Sequence, residues 1–490
     1  MKKTALALVC IIFVSSLVLI PFANADWAMF GSDPAHDGVG TGNPVLTPTL
    51  LWKTNISNVL PPDVIGPDTS WSSPTVVDGI VYICSGTQVN TNSGYYESGY
   101  NYLWGDTYAF NATSGGEVWD YRDYLSDGLA SSSPAVVDSV VFFSLSSLTS
   151  GYVGALNASN GASLWNHFFG GPVTSSLTVV NSIVYVGAFP GSVYALNATN
   201  GAQLWNYDIG SAAYSSPAVV NGIVYVGSYD NNVYALNATD GAEIWSFNTG
   251  GGMSTPAVVN DVVYVGSTGG NVYALNASNG SQLWVCDTGG VVSSGFTADS
   301  SFAIVGGVVF TDSENGNIYA LNSTNGSLLW NYTTGAPISS SPVAVGGIVY
   351  VYQDYVGVLY ALNAHSGEQL WNYTIYATDT GNIASPAIDN GVLYIGSEDG
   401  QVYALGVPMP PPSPAPTPSP APTPSPAPTP PPTSFNNLPV VVGVVASVVV
   451  IVAVVFLVFK KRWKTKPISA RVRLSSTSWS AYQRLTARPP

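Results

Sequence analysis

A block of about forty residues recurs along this chain, and it limits the possible folds more than any other feature. Its clearest copy runs Ser216-Pro217-Ala218-Val219-Val220-Asn221-Gly222-Ile223-Val224-Tyr225-Val226-Gly227, continues through Val233-Tyr234-Ala235-Leu236-Asn237 and ends at Trp245. Near-copies end at Trp119, Trp165, Trp205, Trp284, Trp330 and Trp371, with central spacings of 40, 40 and 39 residues. A unit this short cannot bury its own faces, so successive units must pack on one another. Each reads as four strands. Asn221-Gly222 is a two-residue hairpin signal, because both positions tolerate positive φ, and Asp78-Gly79, Gly346-Gly347 and Asn390-Gly391 fill the same slot. The second strand, Ile223 to Val226, is apolar at consecutive positions, which predicts burial on both faces. After the Val-Tyr-Ala-Leu strand, Asn-Ala-Thr/Ser-x-Gly forms a turn capped by Asn, with Gly in the left-handed position.

Units begin near Pro74, Pro134, Ser176, Pro217, Pro256, Ser294, Pro342 and Pro386. The last stops at Leu405-Gly406 without a Trp strand, whereas Leu50-Leu51-Trp52-Lys53 is a Trp strand with no unit before it. The two fragments complement each other. A ring closed by the N-terminal strand removes the free edges that an open array would leave. The expected fold is therefore all-β, an eight-bladed β-propeller of four-stranded antiparallel blades over 50–406, closed by Leu50 to Asn55. One Trp per blade, Trp52, Trp119, Trp165, Trp205, Trp245, Trp284, Trp330 and Trp371, is expected as a structural wedge between blades, since regular repetition in an apolar strand points to packing rather than to a carbohydrate platform.

The flanks read as address rather than fold. Residues 1–25 have the basic start, apolar run and Ala23-Asn24-Ala25 step of a secretory signal peptide, leaving a leader at 26–49. Residues 407–437 are a Pro/Ser/Ala/Thr stalk, extended on the order of 80 Å. Leu438 to Phe459 carries no charge and is long enough, at about 33 Å, to span a bilayer as a helix. Lys460-Lys461-Arg462-Trp463-Lys464 opens a basic tail, 460–490, which the positive-inside rule puts in the cytoplasm. The expectation is a single-pass, type I membrane protein with its propeller outside the cell. All 28 acidic residues lie between Lys3 and Lys460, where Lys53 and Arg122 are the only cations. Such a surface excludes nucleic acid as a partner. Cys84 and Cys286 fall on opposite blades and are expected as free buried thiols.

The pattern Val-Tyr-Ala-Leu-Asn-Ala-x-x-Gly-x-x-x-Trp resembles the pyrroloquinoline-quinone (PQQ) repeat of quinoprotein alcohol dehydrogenases and of PQQ-like propellers without cofactor, such as the scaffold lipoprotein of the bacterial outer-membrane assembly machine. Asn157, Asn197, Asn237 and Asn276 stand where that family often has Asp. The opening Asp26-Trp27-Ala28-Met29-Phe30, with Asp33-Pro34-Ala35-His36-Asp37-Gly38, is similar to the leader of exported archaeal PQQ-like propellers. The dehydrogenases in that family carry a vicinal Cys-Cys pair and a Ca²⁺ site with a catalytic Asp. This chain has no Cys-Cys and almost no cation for a tricarboxylate cofactor, so the resemblance implies the scaffold without the reaction: no cofactor, no metal, no catalytic residues. His36, His167 and His365 are scattered, and no nucleophile elbow occurs.

What remains is binding. Sequons at Asn55, Asn111, Asn157, Asn197, Asn237, Asn276, Asn279, Asn322, Asn325, Asn331 and Asn372 are candidate N-glycosylation sites, several on the capped turn. The opposite face, built from inter-blade loops and second-to-third-strand turns, is the irregular one. It is expected to carry Trp71, Tyr95, Tyr96, Tyr100, Tyr102, Trp104, Tyr124, Phe169, Tyr214, Phe296 and Tyr376, a Tyr-rich composition suited to recognising protein or glycan ligands. The competing classes are a PQQ-dependent oxidoreductase and a purely structural envelope component.

Overall fold

The structure is a computed structural model that describes residues 29–407, except 41, 56–68, 90–101, 126–127, 130–131, 148, 174, 212–214, 293–300, 339, 354–355, 376–383 and 398. The expected signal peptide, stalk, membrane span and tail lie outside the described residues. Among those described, no helix is long and apolar enough to cross a membrane.

Eight antiparallel sheets form the fold. Blade 4 is representative, with an inner strand Ala218–Val220, then Ile223–Gly227, Asn232–Asn237 and an outer strand Glu243–Asn248. The inner strands neighbour one another around an axis, and Ala387–Asp389 of blade 8 lies beside Thr75–Val77 of blade 1. The ring is closed by Thr49–Asn55, which pairs with Gln401–Gly406 as the outer strand of blade 8. The first hairpin of blade 4 turns at Asn221 (φ 52°) and Gly222 (φ 77°), the geometry its residue pair favours. Blades 1 and 2 each gain a short extra strand, Thr69–Trp71 and Gly128–Leu129.

Each Trp lies against the following blade. All eight indole N–H groups donate, at 2.8–3.2 Å, to a backbone carbonyl: Ala112, Ala158, Ala198, Ala238, Ala277, Ser323, Ala364 and Val45 in turn. The first seven acceptors sit on the Asn turn of the next blade. Blade 8 lacks that turn, and the leader's Val45 supplies the carbonyl for Trp371. The turn glycine is obligatory here. A Cβ on Gly241, whose φ is +73°, would come within 2.6 Å of the Trp205 ring. Every outer strand also bulges one residue before its Trp, so Ala235 faces Trp245 while Leu236 faces Glu243. These bulges blunt an edge that would otherwise invite strand pairing.

A second interlock was not foreseen from sequence. The Ser73 N–H donates to Ser133 Oγ, Ser133 to Ser176, Ser176 to Ser216 and Ser216 to Thr255, and the series resumes from Ser301 to Ser341 to Ser385 and back to Ser73, at 2.8–3.1 Å. A buried belt of hydroxyls thus links neighbouring blades at their inner ends. Its signal was a Ser or Thr that recurs before each inner strand, followed by Pro in six blades, by Leu177 in blade 3 and by Phe302 in blade 6.

Two expectations need correction. The inner strand of blade 6 is Ala303–Val305, later than the start near Ser294, because Gly306-Gly307 is the turn that follows it. Cys84 and Cys286 are both free, but only Cys84 is buried, since Cys286 sits on the outer strand Gln282–Asp287.

Candidate functional site

The middle residue of each three-residue inner strand opposes its neighbour without ladder hydrogen bonds, so its N–H turns toward the axis. The leader takes these groups in order. Val219 of blade 4 donates to the Pro34 carbonyl (2.6 Å), Val258 of blade 5 to Ala35 (2.9 Å), Ile304 of blade 6 to Asp37 (2.8 Å) and Ala344 of blade 7 to Gly38 (3.0 Å). Gly40 returns a bond to the Ala344 carbonyl. His36 Nε2 meets Thr178 Oγ1 of blade 3 at 3.0 Å, and Phe30 stands edge-on to the imidazole. Met29, Phe30, His36 and Val45 are all buried, His36 completely. The leader, expected only to precede the ring, is its axial plug. Because it binds through backbone carbonyls, its contacts leave no side-chain pattern to read.

The electrostatics follow from burial. His36 is pushed down to about 3, with the Pro256 backbone opposing, so the ring is neutral and works as filling and hydrogen-bond partner. Asp37 rises to about 6 through burial and the charge of Asp33, whose own carboxyl is raised by burial.

On the loop face, blade 1 is the most extended. Its hairpin strands Ile80–Val89 and Tyr102–Asn111 stay in register out to Val89 opposite Tyr102. Trp71, Ser85, Asp106 and Arg122 form one cross-strand row, and Thr69, Thr87, Trp104 and Tyr124 the next but one, beyond Ser70, Gly86, Gly105 and Asp123. The register therefore gathers Trp71, Tyr102, Trp104 and Tyr124 on one sheet. Asp106 is buried and raised to about 6 by that burial, with Tyr108 donating to it at 3.0 Å. Tyr95, Tyr96, Tyr100, Tyr214, Phe296 and Tyr376 lie outside the described residues. Phe169 packs in the core against Tyr194, ring centroids 4.8 Å apart. Its neighbour Phe168 is 69% exposed, and Phe189, in the second turn of blade 3, is 49% exposed. Phe168 was expected among the inter-blade loop aromatics, whereas Phe189 is one that sequence reasoning left out of the site.

The sequons divide by position. Asn111, Asn157, Asn197, Asn237, Asn276, Asn279, Asn322 and Asn325 stand on third-to-fourth-strand turns, all on one face. Asn331 and Asn372 are exposed on outer strands, and Asn55 ends the closing strand.

A tricarboxylate quinone does not fit the described residues. Lys53 lies on the outer strand of blade 8, its Nζ 5.8 Å from the Tyr403 ring centroid, and Arg122 on the outer strand of blade 1 pairs with Asp120 at 2.8 Å. Both are at the rim, while the axis is filled by Phe30 and His36. His36, His167 and His365 stand at the axis, on the blade 2 outer strand and on the blade 7 turn. Among the described residues no group of three or more His, Cys, Asp or Glu could hold a metal ion.

The family model described as outer membrane protein assembly factor BamB matches residues 47–172, 149–289 and 287–407. The chain belongs to the BamB-type, PQQ-like β-propeller family. No curated protein matches it. Among solved structures, BamB from Moraxella catarrhalis is 20% identical, covers 74% of this chain and 100% of its own, and superposes with a TM-score of 0.54. A quinohemoprotein alcohol dehydrogenase from Comamonas testosteroni is 14% identical, with 81% and 82% covered and a TM-score of 0.61. A europium-containing methanol dehydrogenase is 11% identical, with 80% and 100% covered, also at 0.61. At such identities the likeness concerns the fold alone. BamB and dehydrogenase propellers both resemble this ring, so function must be argued from its own residues.

Proposed function

We propose that this BamB-type propeller is a non-catalytic surface protein, membrane-tethered in the type I sense, that displays its loop face to protein or glycan ligands. The observation that carries this reading is the filled axis. With residues 30–38 hydrogen-bonded to blades 3 to 7, the described residues leave a small ligand no central seat, and recognition falls to the surface. Two further features support the choice of face. The loop face holds the extended hairpin of blade 1 and the exposed Phe168 and Phe189, whereas the chain leaves the ring from the opposite, turn face, where Gly406 abuts the Gly391 carbonyl. The test replaces Asn90–Asn101 with Asn-Gly, which closes the hairpin on the Val89–Tyr102 pair. The variant should keep the melting temperature of the parent and lose its captured partners, whether cell-surface proteins or arrayed glycans. An unchanged partner profile would defeat the reading.

A further inference from the structure

We infer that the turn face carries a crown of N-linked glycans at Asn111, Asn157, Asn197, Asn237, Asn276 and Asn322, one on each of blades 1 to 6; the inference rests on the proposed export of the propeller. A sequon alone is weak evidence, because Asn in such a turn is explained by capping. The geometry separates the two roles. In all six, Oδ1 is the capping atom, accepting the N–H two residues on at 2.8–3.1 Å. None of the six Nδ2 groups donates to another described residue, and the Ser or Thr of each sequon is exposed. N-glycosylation uses only the free arm. The bond from Nδ2 to the anomeric carbon forms as the bond from that carbon to a lipid-linked phosphate carrier breaks. The carrier leaves with the electron pair, Nδ2 gives up one proton to the transferase, and Oδ1 stays in place. The cap survives modification.

Blade 7 supplies the control within the molecule. Asn363 caps its turn in the same way, accepting from His365 N at 2.9 Å and Ser366 N at 3.0 Å, yet His365 stands where the others have Ser or Thr. Capping therefore does not require the hydroxyl that the other six share. Blade 8 has Gly406 at this position. The gap in the crown thus falls on blades 7 and 8, the sector where the leader crosses the turn face: Pro44 lies against Gly346, and Asn43 against Gly391. The chain also leaves there at Val407. Sugars occupy the turns that the described part of the leader does not cross.

The test is mass spectrometry of peptides from the full chain purified from its own cells, with N-terminal sequencing of the same sample. The expected result is glycan on the six turn asparagines and an N-terminus at Asp26. Asn237→Asp keeps a capping oxygen and Thr239→Ala keeps the cap itself, so each should lose one glycan's mass with the fold intact, while His365→Thr should add one at Asn363. A mature N-terminus with bare turn asparagines would overturn the crown and leave the proposed function standing. Occupancy confined to Asn331 and Asn372 would also overturn it. An uncleaved N-terminus with bare asparagines would remove the crown and the export reading together.

Discussion

The axial plug makes a sharp mutational prediction at Gly38. A Cβ built there would sit 2.3 Å from the Phe302 carbonyl oxygen and 2.9 Å from Ala303 Cα, with φ at +68°. Ordinary contact for a methyl carbon begins near about 3.5 Å, so the overlap is about 1 Å against backbone that cannot rotate away. Gly210 is the matched control, since its φ is +73° and nothing lies within 4 Å. Gly210→Ala should cost only the left-handed penalty, about 1 kcal/mol. Gly38→Ala should cost that and in addition either the clash or the displacement of the plug. Displacement gives up the Ile304, Ala344 and Gly40 hydrogen bonds at about 1 kcal/mol each, for a total of about 4 kcal/mol. For a ring of several hundred residues that is a drop of about 5 °C in melting temperature. The assay is thermal and denaturant unfolding of both variants, with hydrogen exchange at Ile304 and Ala344 as the local readout. If Gly38→Ala unfolds within about 1 kcal/mol of Gly210→Ala and those two amides stay protected, the leader is not seated as described.

Trp245→Phe removes one of two donors to the Ala277 carbonyl, because the Tyr225 hydroxyl also reaches it at 3.1 Å, so it should cost about 1–2 kcal/mol. The Trp245→Phe/Tyr225→Phe double variant should cost more than the sum in a denaturation cycle, as only then is the carbonyl unpaired; strict additivity would contradict this. Ser133→Ala takes the acceptor from the buried Ser73 N–H and should destabilise by about 1–3 kcal/mol, whereas Ser133→Thr should be tolerated, since Thr255 holds the same place in blade 5. For pH, His36 is neutral in the ring down to about pH 3 but protonates from about 6.5 in the unfolded chain, so its contribution is present above 6.5 and lost as pH falls. Relative to His36→Asn, the parent should lose about 1.4 kcal/mol per pH unit between pH 6 and 4 by denaturant unfolding, and a pH-independent difference would be inconsistent with a buried neutral imidazole. Asp37 and Asp106 act in the opposite sense in both proteins, their burial cost being relieved as pH falls from about 6, and so cancel in that comparison.

The blades were legible because their determinants are side chains at fixed intervals. Asn221-Gly222 announced its hairpin, the Trp its outer strand, and the orphan Leu50 to Asn55 its place in blade 8. The plug was not legible, since Pro34, Ala35, Asp37 and Gly38 act through carbonyls that every residue possesses. The loop face was half legible. Composition found aromatics there, but strand parity decides which of two neighbours is exposed: counting by twos from Trp165 reaches His167 and Phe169, which meet edge to face with centroids 4.9 Å apart, and leaves Phe168 on the other side. That count was available in the sequence, and the extended blade 1 register, with Trp104 opposite both Thr87 and Tyr124, was not.

Equivalent repeats pose a problem that their own sequence does not solve. Each blade buries one face on the blade before it and one on the blade after, so seven units, eight, or an open spiral would satisfy the local rules equally well. Residues 29–55 break the degeneracy, because they meet three conditions at once. Their carbonyls need the inner edges of blades 4, 5, 6 and 7 around one axis, Val45 must reach Trp371 and the Tyr350 hydroxyl on blade 7, and Thr49–Asn55 must pair with Gln401–Gly406. Trp52 must then reach Ala112 on blade 1, and Thr54 Oγ1 the Gly115 carbonyl beside it. Only a ring in which blade 8 adjoins blade 1 satisfies all of these together. The segment that resembles a mere preamble is what selects eight blades, and the same contacts fill the axis of the ring with peptide.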